Sequence, residues 1–146
     1  MASDKQSQAD AIQWAQDAAH SMIVTQLSLG GVLDEDAEAV KRVVSAFGFG
    51  YIFGFADQLL QRAGVTDEVQ TLTQLAIVLT RLFGKDRGPK IFGKCLRQQD
   101  DPEFRAARLL GAQEVRTWLE HPDKAAPMGL AQYLNGKSAP IARQSS

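Results

Sequence analysis

The sequence predicts an all-α fold, a compact single-domain bundle of five to six helices. Three observations support this prediction. Apolar residues recur every three to four positions in most segments, helix start and stop signals separate those segments, and the chain lacks alternating strands and helices. With 146 residues and 45% hydrophobic composition, the chain is long enough for one domain with its own core. We expect that domain over residues 1–136 and a flexible C-terminal tail over residues 137–146.

The first helix is predicted from about Ser3 to Ser28. Gly30 and Gly31 end it, because glycine tolerates the left-handed turn that follows a helix. Its apolar face is made of residues at helical spacing: Ala11, Ile12, Ala15, Ala18, Ala19, Met22 and Ile23.

A second helix is predicted from an acidic start, at Asp34–Asp36 and Glu38, to about Arg62, with Gly64 beyond it. Carboxylates at a helix start accept amide protons that have no partner in the helix, and they meet the positive end of its dipole. The same cluster could suggest a calcium site, but it lacks the loop glycine and terminal ligand of an EF-hand. Capping explains it.

Within this second helix, five rings alternate with small or branched residues: Phe47, Phe49, Tyr51, Phe53 and Phe55 with Gly48, Gly50, Ile52 and Gly54. The period of two resembles a strand. A helix is favoured, because glycine is unfavourable in strands and both flanks have helical spacing.

Coiled as a helix, the segment places Ala46, Gly50 and Gly54 on one stripe between two walls of rings, which makes a groove. Three uses of this groove are open: close packing of another helix inside the fold, a homodimer interface, or a pocket for a small apolar ligand. The candidate groove residues are Phe49, Gly50, Tyr51, Phe53 and Gly54.

Four further helices are expected. The first of these, which is the third helix of the chain, is expected to be mostly buried. Their bounds are about 66–84, a short stretch after Pro89 through Leu96, Asp101–Pro102 to His121, and Pro127 to Asn135.

Charge is distributed unevenly along the chain. Residues 1–64 carry four Lys or Arg and eight Asp or Glu, whereas residues 65–146 carry twelve and nine. The second part of the chain, residues 65–146, thus has an excess of positive charge. Such an excess can attract an acidic partner, and Phe92 or Leu96 is expected to anchor the contact as an apolar side chain. The pI of about 6.1 disfavours a nucleic-acid binder. Most of the basic surplus lies in one section opposed only by Asp86: Arg81, Lys85, Arg87, Lys90, Lys94 and Arg97.

A phosphate-loop pattern, G-x-x-x-x-G-K-[ST], matches Gly88 to Cys95 at every position but the last. That motif turns a strand into a helix, and the segment before Gly88 is predicted to be helical. Cysteine also replaces the hydroxyl that would hold magnesium. We therefore interpret the stretch as a basic loop between helices, with Cys95 packed as a small apolar side chain rather than exposed as a reactive thiol.

No metal site and no cofactor are predicted, because neither His20 nor His121 has a second ligand at metal-binding spacing. Paired catalytic residues are also lacking, so the expected function is not enzymatic. We expect a small cytoplasmic protein of the adaptor, inhibitor, immunity or regulator type that binds a protein with an acidic surface. The alternative is a helical-bundle carrier or sensor of a small apolar ligand. Cytoplasm is expected from the polar N-terminus, the single cysteine and the lack of a membrane span.

Overall fold

The structure, a computed structural model, describes residues 2–32, 43–123 and 126–136. Within these ranges it contains helices and no strand, which confirms the predicted all-α bundle. The six described helices are α1 (Ala2–Leu29), α2 (Ala46–Arg62), α3 (Glu68–Phe83), α4 (Arg87–Arg97), α5 (Pro102–Glu120) and α6 (Gly129–Leu134). None of them has the length and apolar composition needed to cross a membrane.

Helix α2 is the centre of the bundle. It begins after Ser45, whose hydroxyl accepts a 3.0 Å hydrogen bond from the amide of Gly48 and so caps the first turn. Every residue from Phe47 to Ala56 is buried. The prediction that this aromatic segment is an interior helix is therefore confirmed. The prediction that one helix runs unbroken from the acidic cluster to about Arg62 is wrong, because Ser45 has an extended backbone and α2 begins only at Ala46. The acidic cluster itself, residues 34–38, lies outside the described residues.

Close contact between α2 and α5 holds the centre together. A methyl group on Gly50 would overlap the carbonyl oxygen of Phe104, and one on Gly54 would overlap that of Arg108. Gly111 of α5 lies against the carbonyl oxygen of Tyr51 in the same way. The two helices approach backbone to backbone, which only residues without a Cβ allow at these positions. The stripe formed by Gly50 and Gly54 therefore packs against α5 inside the fold, which is the first of the three uses considered for it.

Local signals at the other helix ends match the expected ones. The carboxylate of Asp67 accepts from the amide of Gln70 at 2.9 Å at the start of α3. Asp101 accepts from the amides of Glu103 and Phe104 at 2.8 and 3.2 Å, with Pro102 in the first turn of α5. After α3, Gly84 has a φ of 94°, in the left-handed region that favours glycine.

Two expectations about the α3–α4 hairpin are wrong. The short helix predicted after Pro89 is present as α4, but it already begins at Arg87, so the interpretation of Gly88 to Cys95 as a loop is wrong. Helix α3 is not mostly buried, because only Leu75, Val78 and Leu79 are enclosed among its residues. The reason is that α3 packs on α4 and on the bundle with one side and leaves its other apolar side open. The expected C-terminal tail, residues 137–146, is outside the described ranges.

Candidate interaction surface

The basic section forms an ordered stripe on α4. Arg87, Lys90, Lys94 and Arg97 follow one another at intervals of three, four and three residues, which places them within an arc of about 80° on the helix. All four side chains are exposed. None of them forms an ion pair with a carboxylate in the described part of the chain. We call these four residues the cationic stripe.

The other two basic residues of the section do not belong to the stripe. Arg81, near the end of α3, donates to the carboxylate of Asp17 on α1 at 2.9 Å. This hydrogen bond lowers the pKa of Asp17. Because both side chains are well exposed, the pair contributes little to stability. Lys85 lies in the turn between α3 and α4, exposed to solvent.

An open apolar groove of about 650 Å³ lies along the outer side of the α3–α4 hairpin. We call it the hairpin groove. Phe92 and Leu96, the two predicted anchor residues, line it from α4. From α3 the apolar part of the lining is Val69, Leu72, Ala76 and Ile77. Val69 is 72% exposed and Ile77 39% exposed. Neither residue was predicted to be part of the site, although Val69, Thr73, Ile77 and Thr80 recur at helical spacing.

A second cleft, of about 290 Å³, lies on the opposite side of α4. Val44, Phe49 and Ile91 provide apolar lining, and three members of the cationic stripe, Arg87, Lys90 and Lys94, line it as well. The ammonium group of Lys94 lies 5.7 Å from the centroid of the Phe49 ring, within the range of a cation–π interaction. The cationic stripe thus has apolar surface on both of its sides.

The predicted groove residues are enclosed. Phe49, Gly50, Tyr51, Phe53 and Gly54 are all buried. The ring of Phe53 packs against that of Phe104, with centroids 5.8 Å apart. The side chain of Arg108 lies over the Phe53 ring, with its guanidinium carbon 4.9 Å from the ring centroid. These residues belong to the core, whereas the six basic residues and Phe92 lie together at the hairpin.

A buried polar network passes through this core. Tyr51 donates to Oε1 of Glu114 at 2.6 Å and accepts from Nε2 of Gln26 at 2.9 Å. Burial, with the nearby Glu114 carboxylate, raises the pKa of Tyr51 well above 10.0. The side-chain oxygen of Gln26 accepts from the amides of Leu130 and Ala131 at 2.9 and 3.1 Å. It thereby satisfies amides at the start of α6, which has no side-chain cap of its own.

This network was not predicted from the sequence. One signal pointed to it: Gln26 lies beside Ile23 and Leu27 on the buried side of α1. A polar side chain on an apolar face requires a hydrogen-bonding partner. The network joins α1, α2, α5 and α6, and its hydrogen bonds are made within the protein. We interpret it as structural.

The resemblance to a phosphate loop does not hold in three dimensions, since the whole stretch is one helix preceded by another. Cys95 lies within it and is fully buried. Burial raises the pKa of its thiol to about 12. The interpretation of Cys95 as a packed apolar side chain agrees with this environment. Across the described ranges, no group of three or more His, Cys, Asp or Glu could hold a metal ion.

The fold places the chain in the class of compact all-α bundles. Comparison with family models, with curated proteins and with solved structures found no match. The surfaces described above are therefore the basis for a functional proposal.

Proposed function

We propose that this chain is a small protein-binding or regulatory protein that captures a partner with an acidic surface through α4. The observation that carries the proposal is the cationic stripe: four exposed positive side chains in line, none of which forms an ion pair with a carboxylate of the described residues. Charged stripes of this kind steer an oppositely charged partner and speed its association.

The stability of α4 does not explain why these four cations lie in line. Like charges three or four residues apart destabilise a helix by roughly 0.2–0.5 kcal/mol for each pair. Arg87 and Lys90 also lie in the first turn of α4, where the positive end of the helix dipole disfavours cations. Lys94 and Arg97 lie at the favourable end. The first half of the stripe therefore does not stabilise the helix, which favours a role for it in binding.

The alternative function, a carrier of a small apolar ligand in the glycine groove, has less support. Helix α5 occupies the position that such a ligand would take beside Gly50 and Gly54. The stripe also has too few cations for a dedicated nucleic-acid surface in a chain whose pI is about 6.1.

Charge reversal tests the proposal. The chain with Lys90→Glu and Lys94→Glu is compared with the wild type and with a control variant, Arg62→Glu and Arg105→Glu. The control has the same change in net charge, at exposed positions outside α4. Each chain is used for affinity capture from the source cell, with quantification by mass spectrometry.

We expect an acidic protein that the wild type and the control retain and that the stripe variant loses. Its capture should also weaken as salt is raised, because exposed charges are screened within about 10 Å at 0.1 M. Circular dichroism verifies that all three chains remain helical. The proposal is refuted when no captured protein distinguishes the stripe variant from the control.

A further inference from the structure

We infer that the cleft between α4 and the start of α2 receives one bulky apolar side chain of the partner, and that carboxylates on both sides of this side chain pair with the cations of α4. This inference rests on the proposed function and names the part of the partner that binds. We call the cleft the cationic cleft. Its described lining consists of three apolar and three cationic residues: Val44, Phe49, Ile91, Arg87, Lys90 and Lys94.

The floor of the cationic cleft is apolar. Phe49 of α2 is 1% exposed and Ile91 of α4 is half-buried, so both lie below the surface. Val44, two residues before α2, is 47% exposed and completes the apolar lining. The cleft has a volume of about 290 Å³, whereas pockets that enclose a drug-sized ligand measure about 300–1,000 Å³. Its size therefore suits a single large side chain.

The cations lie along the α4 side of the cleft, and no acidic residue is among its described lining. Arg87, Lys90 and Lys94 span seven positions of the helix, about 10.5 Å at 1.5 Å per residue. An extended peptide advances about 3.3 Å per residue, so carboxylates three residues apart span the same distance. The Lys94 ammonium group, 5.7 Å from the centroid of Phe49, brings the charge next to the apolar floor. The complementary segment therefore has an apolar side chain with carboxylates on either side.

The buried floor argues for a peptide side chain over a membrane surface. A surface that binds a bilayer needs apolar side chains that insert into it, and here the exposed side chains of α4 are cations while the ring of Phe49 is enclosed. A peptide side chain can enter the cleft while its neighbouring carboxylates meet the exposed ends of Arg87 and Lys90. An aromatic side chain is the best candidate, because rings are enriched in the centres of interfaces.

A second copy of the chain is a poorer match. Two cationic clefts packed face to face would bring like charges together, and like charges across an interface disfavour association. For a head-to-tail contact, α1 offers Trp14, 45% exposed, between Asp10 and Asp17 in the sequence. Asp17, however, already pairs with Arg81 of its own chain at 2.9 Å. The charge of the cleft thus favours an acidic segment of another protein.

The test uses three synthetic peptides of about ten residues, each with a fluorescent label. The first has one central phenylalanine with glutamates on both sides. The second has serine in place of the phenylalanine, and the third has lysines in place of the glutamates. Binding of each peptide to the full chain is measured by fluorescence anisotropy at low salt, and amide chemical shifts locate the contact.

Four chains are compared: the wild type, Val44→Gln, the double variant Lys90→Glu and Lys94→Glu, and Val69→Gln as a matched control. Val44→Gln removes apolar lining and keeps the net charge. Val69 is 72% exposed on α3, so the control makes the same change outside the cationic cleft. Both valines are exposed, which leaves the core of the bundle intact, and circular dichroism verifies the helical content of each chain.

We expect the glutamate–phenylalanine peptide to bind the wild type and the control equally, with chemical-shift changes at Phe49 and Ile91. Loss of the phenylalanine should weaken binding at least about tenfold, because a large apolar side chain then stays in water. Val44→Gln should weaken binding of this peptide and leave binding of the serine peptide unchanged. Lysine flanks or the double charge reversal should also weaken binding at least about tenfold, because like charges then meet along α4.

The outcomes separate this inference from the proposed function. Equal binding of the phenylalanine and serine peptides, lost with lysine flanks, would overturn the inference and leave the proposed function standing. Equal binding of the glutamate and lysine peptides would overturn both. Failure of the glutamate–phenylalanine peptide to bind, or shifts confined to the hairpin groove, would overturn the inference alone, since capture from the source cell tests the proposed function by itself.

Two further measurements address other occupants of the cleft. Sedimentation of each chain alone measures self-association, and a wild-type oligomer that Val44→Gln dissociates would assign the cleft to a second copy and overturn the inference. A chain with its own acidic residues neutralised is also titrated with the first peptide. Binding seen only with that chain would assign the cleft to those residues and overturn the inference as well. Its substitutions are Asp34→Asn, Glu35→Gln, Asp36→Asn and Glu38→Gln.

Discussion

The hydroxyl of Tyr51 donates a 2.6 Å hydrogen bond to Oε1 of Glu114, 63 positions later in the chain. Glu114 uses the same oxygen to accept from the amide of Gly129 at 2.9 Å. One carboxylate thus connects α2 and α5 with the start of α6. A hydrogen bond to a charged acceptor contributes about 1.5–3 kcal/mol to stability, more than a neutral one.

Removing the Tyr51 hydroxyl should therefore destabilise the fold. For Tyr51→Phe we expect a loss of about 1–3 kcal/mol in the free energy of unfolding, because the buried Gln26 and the half-buried Glu114 both lose a hydrogen-bonding partner. Urea denaturation followed by circular dichroism measures it. The matched control is Tyr133→Phe, whose half-buried hydroxyl lies 3.2 Å from Oγ of Ser45. An equal or smaller loss for Tyr51→Phe would contradict the importance of the network.

Alanine should have opposite effects at a glycine inside the contact between α2 and α5 and at a glycine outside it. Gly54→Ala should destabilise the protein by about 3 kcal/mol or more, because its methyl group would overlap the backbone of Arg108. Gly93→Ala on α4 should be neutral or stabilising by up to about 1 kcal/mol, because its methyl group meets only the mobile end of Arg97. Thermal unfolding of both variants gives the comparison, and a tolerated Gly54→Ala would argue against the close approach of the helices.

The thiol of Cys95 should not react with maleimide at pH 8 in the folded protein and should react after denaturation. Its folded pKa of about 12 lies above its ordinary value of 9.0, so the folded state holds the proton at pH values at which the unfolded state loses it. The associated stability is complete below pH 9 and is lost as pH rises through 12, by about 1.4 kcal/mol per pH unit. Cys95→Ala should have a correspondingly shallower loss of stability over this range. Rapid labelling of the native protein would contradict the burial.

Helix capping can be tested at two aspartates. Asp101→Ala removes an acceptor for two amides at the start of α5 and should cost about 0.5–2 kcal/mol. Asp86→Ala, at the corresponding position of α4, should cost much less, because the Asp86 side chain accepts no capping hydrogen bond. Equal losses in chemical denaturation would show that the aspartates act through something other than these hydrogen bonds.

Helix ends were predictable because their signals are local. Asp67 and Asp101 cap amides two or three residues away, and Gly84 adopts its turn from its own lack of a side chain. Helical spacing also identified the aromatic segment as a helix in spite of its period of two. The start of α4 was misplaced, since proline is compatible with a first turn as well as with a loop before it.

The candidate surface was predictable in part. Lys90 and Phe92 were predicted to bind a partner because of their charge and hydrophobicity. Helix α4 leaves Lys90 exposed and Phe92 half-buried at the surface, where a partner can reach both. Val69 and Ile77 were missed, because the sequence of α3 shows which residues are apolar and not which side of the helix the bundle covers.

The sequence by itself determined the all-α class, most helix bounds and the concentration of basic residues between Arg81 and Arg97, since each depends on residues within a few positions of one another. The tertiary structure decided that α5 fills the glycine stripe, that Gln26 and Glu114 meet at Tyr51, and that the outer side of α3 stays open. These features depend on which helices pack together. That choice is made by contacts between residues far apart in the chain, and no local pattern encodes it.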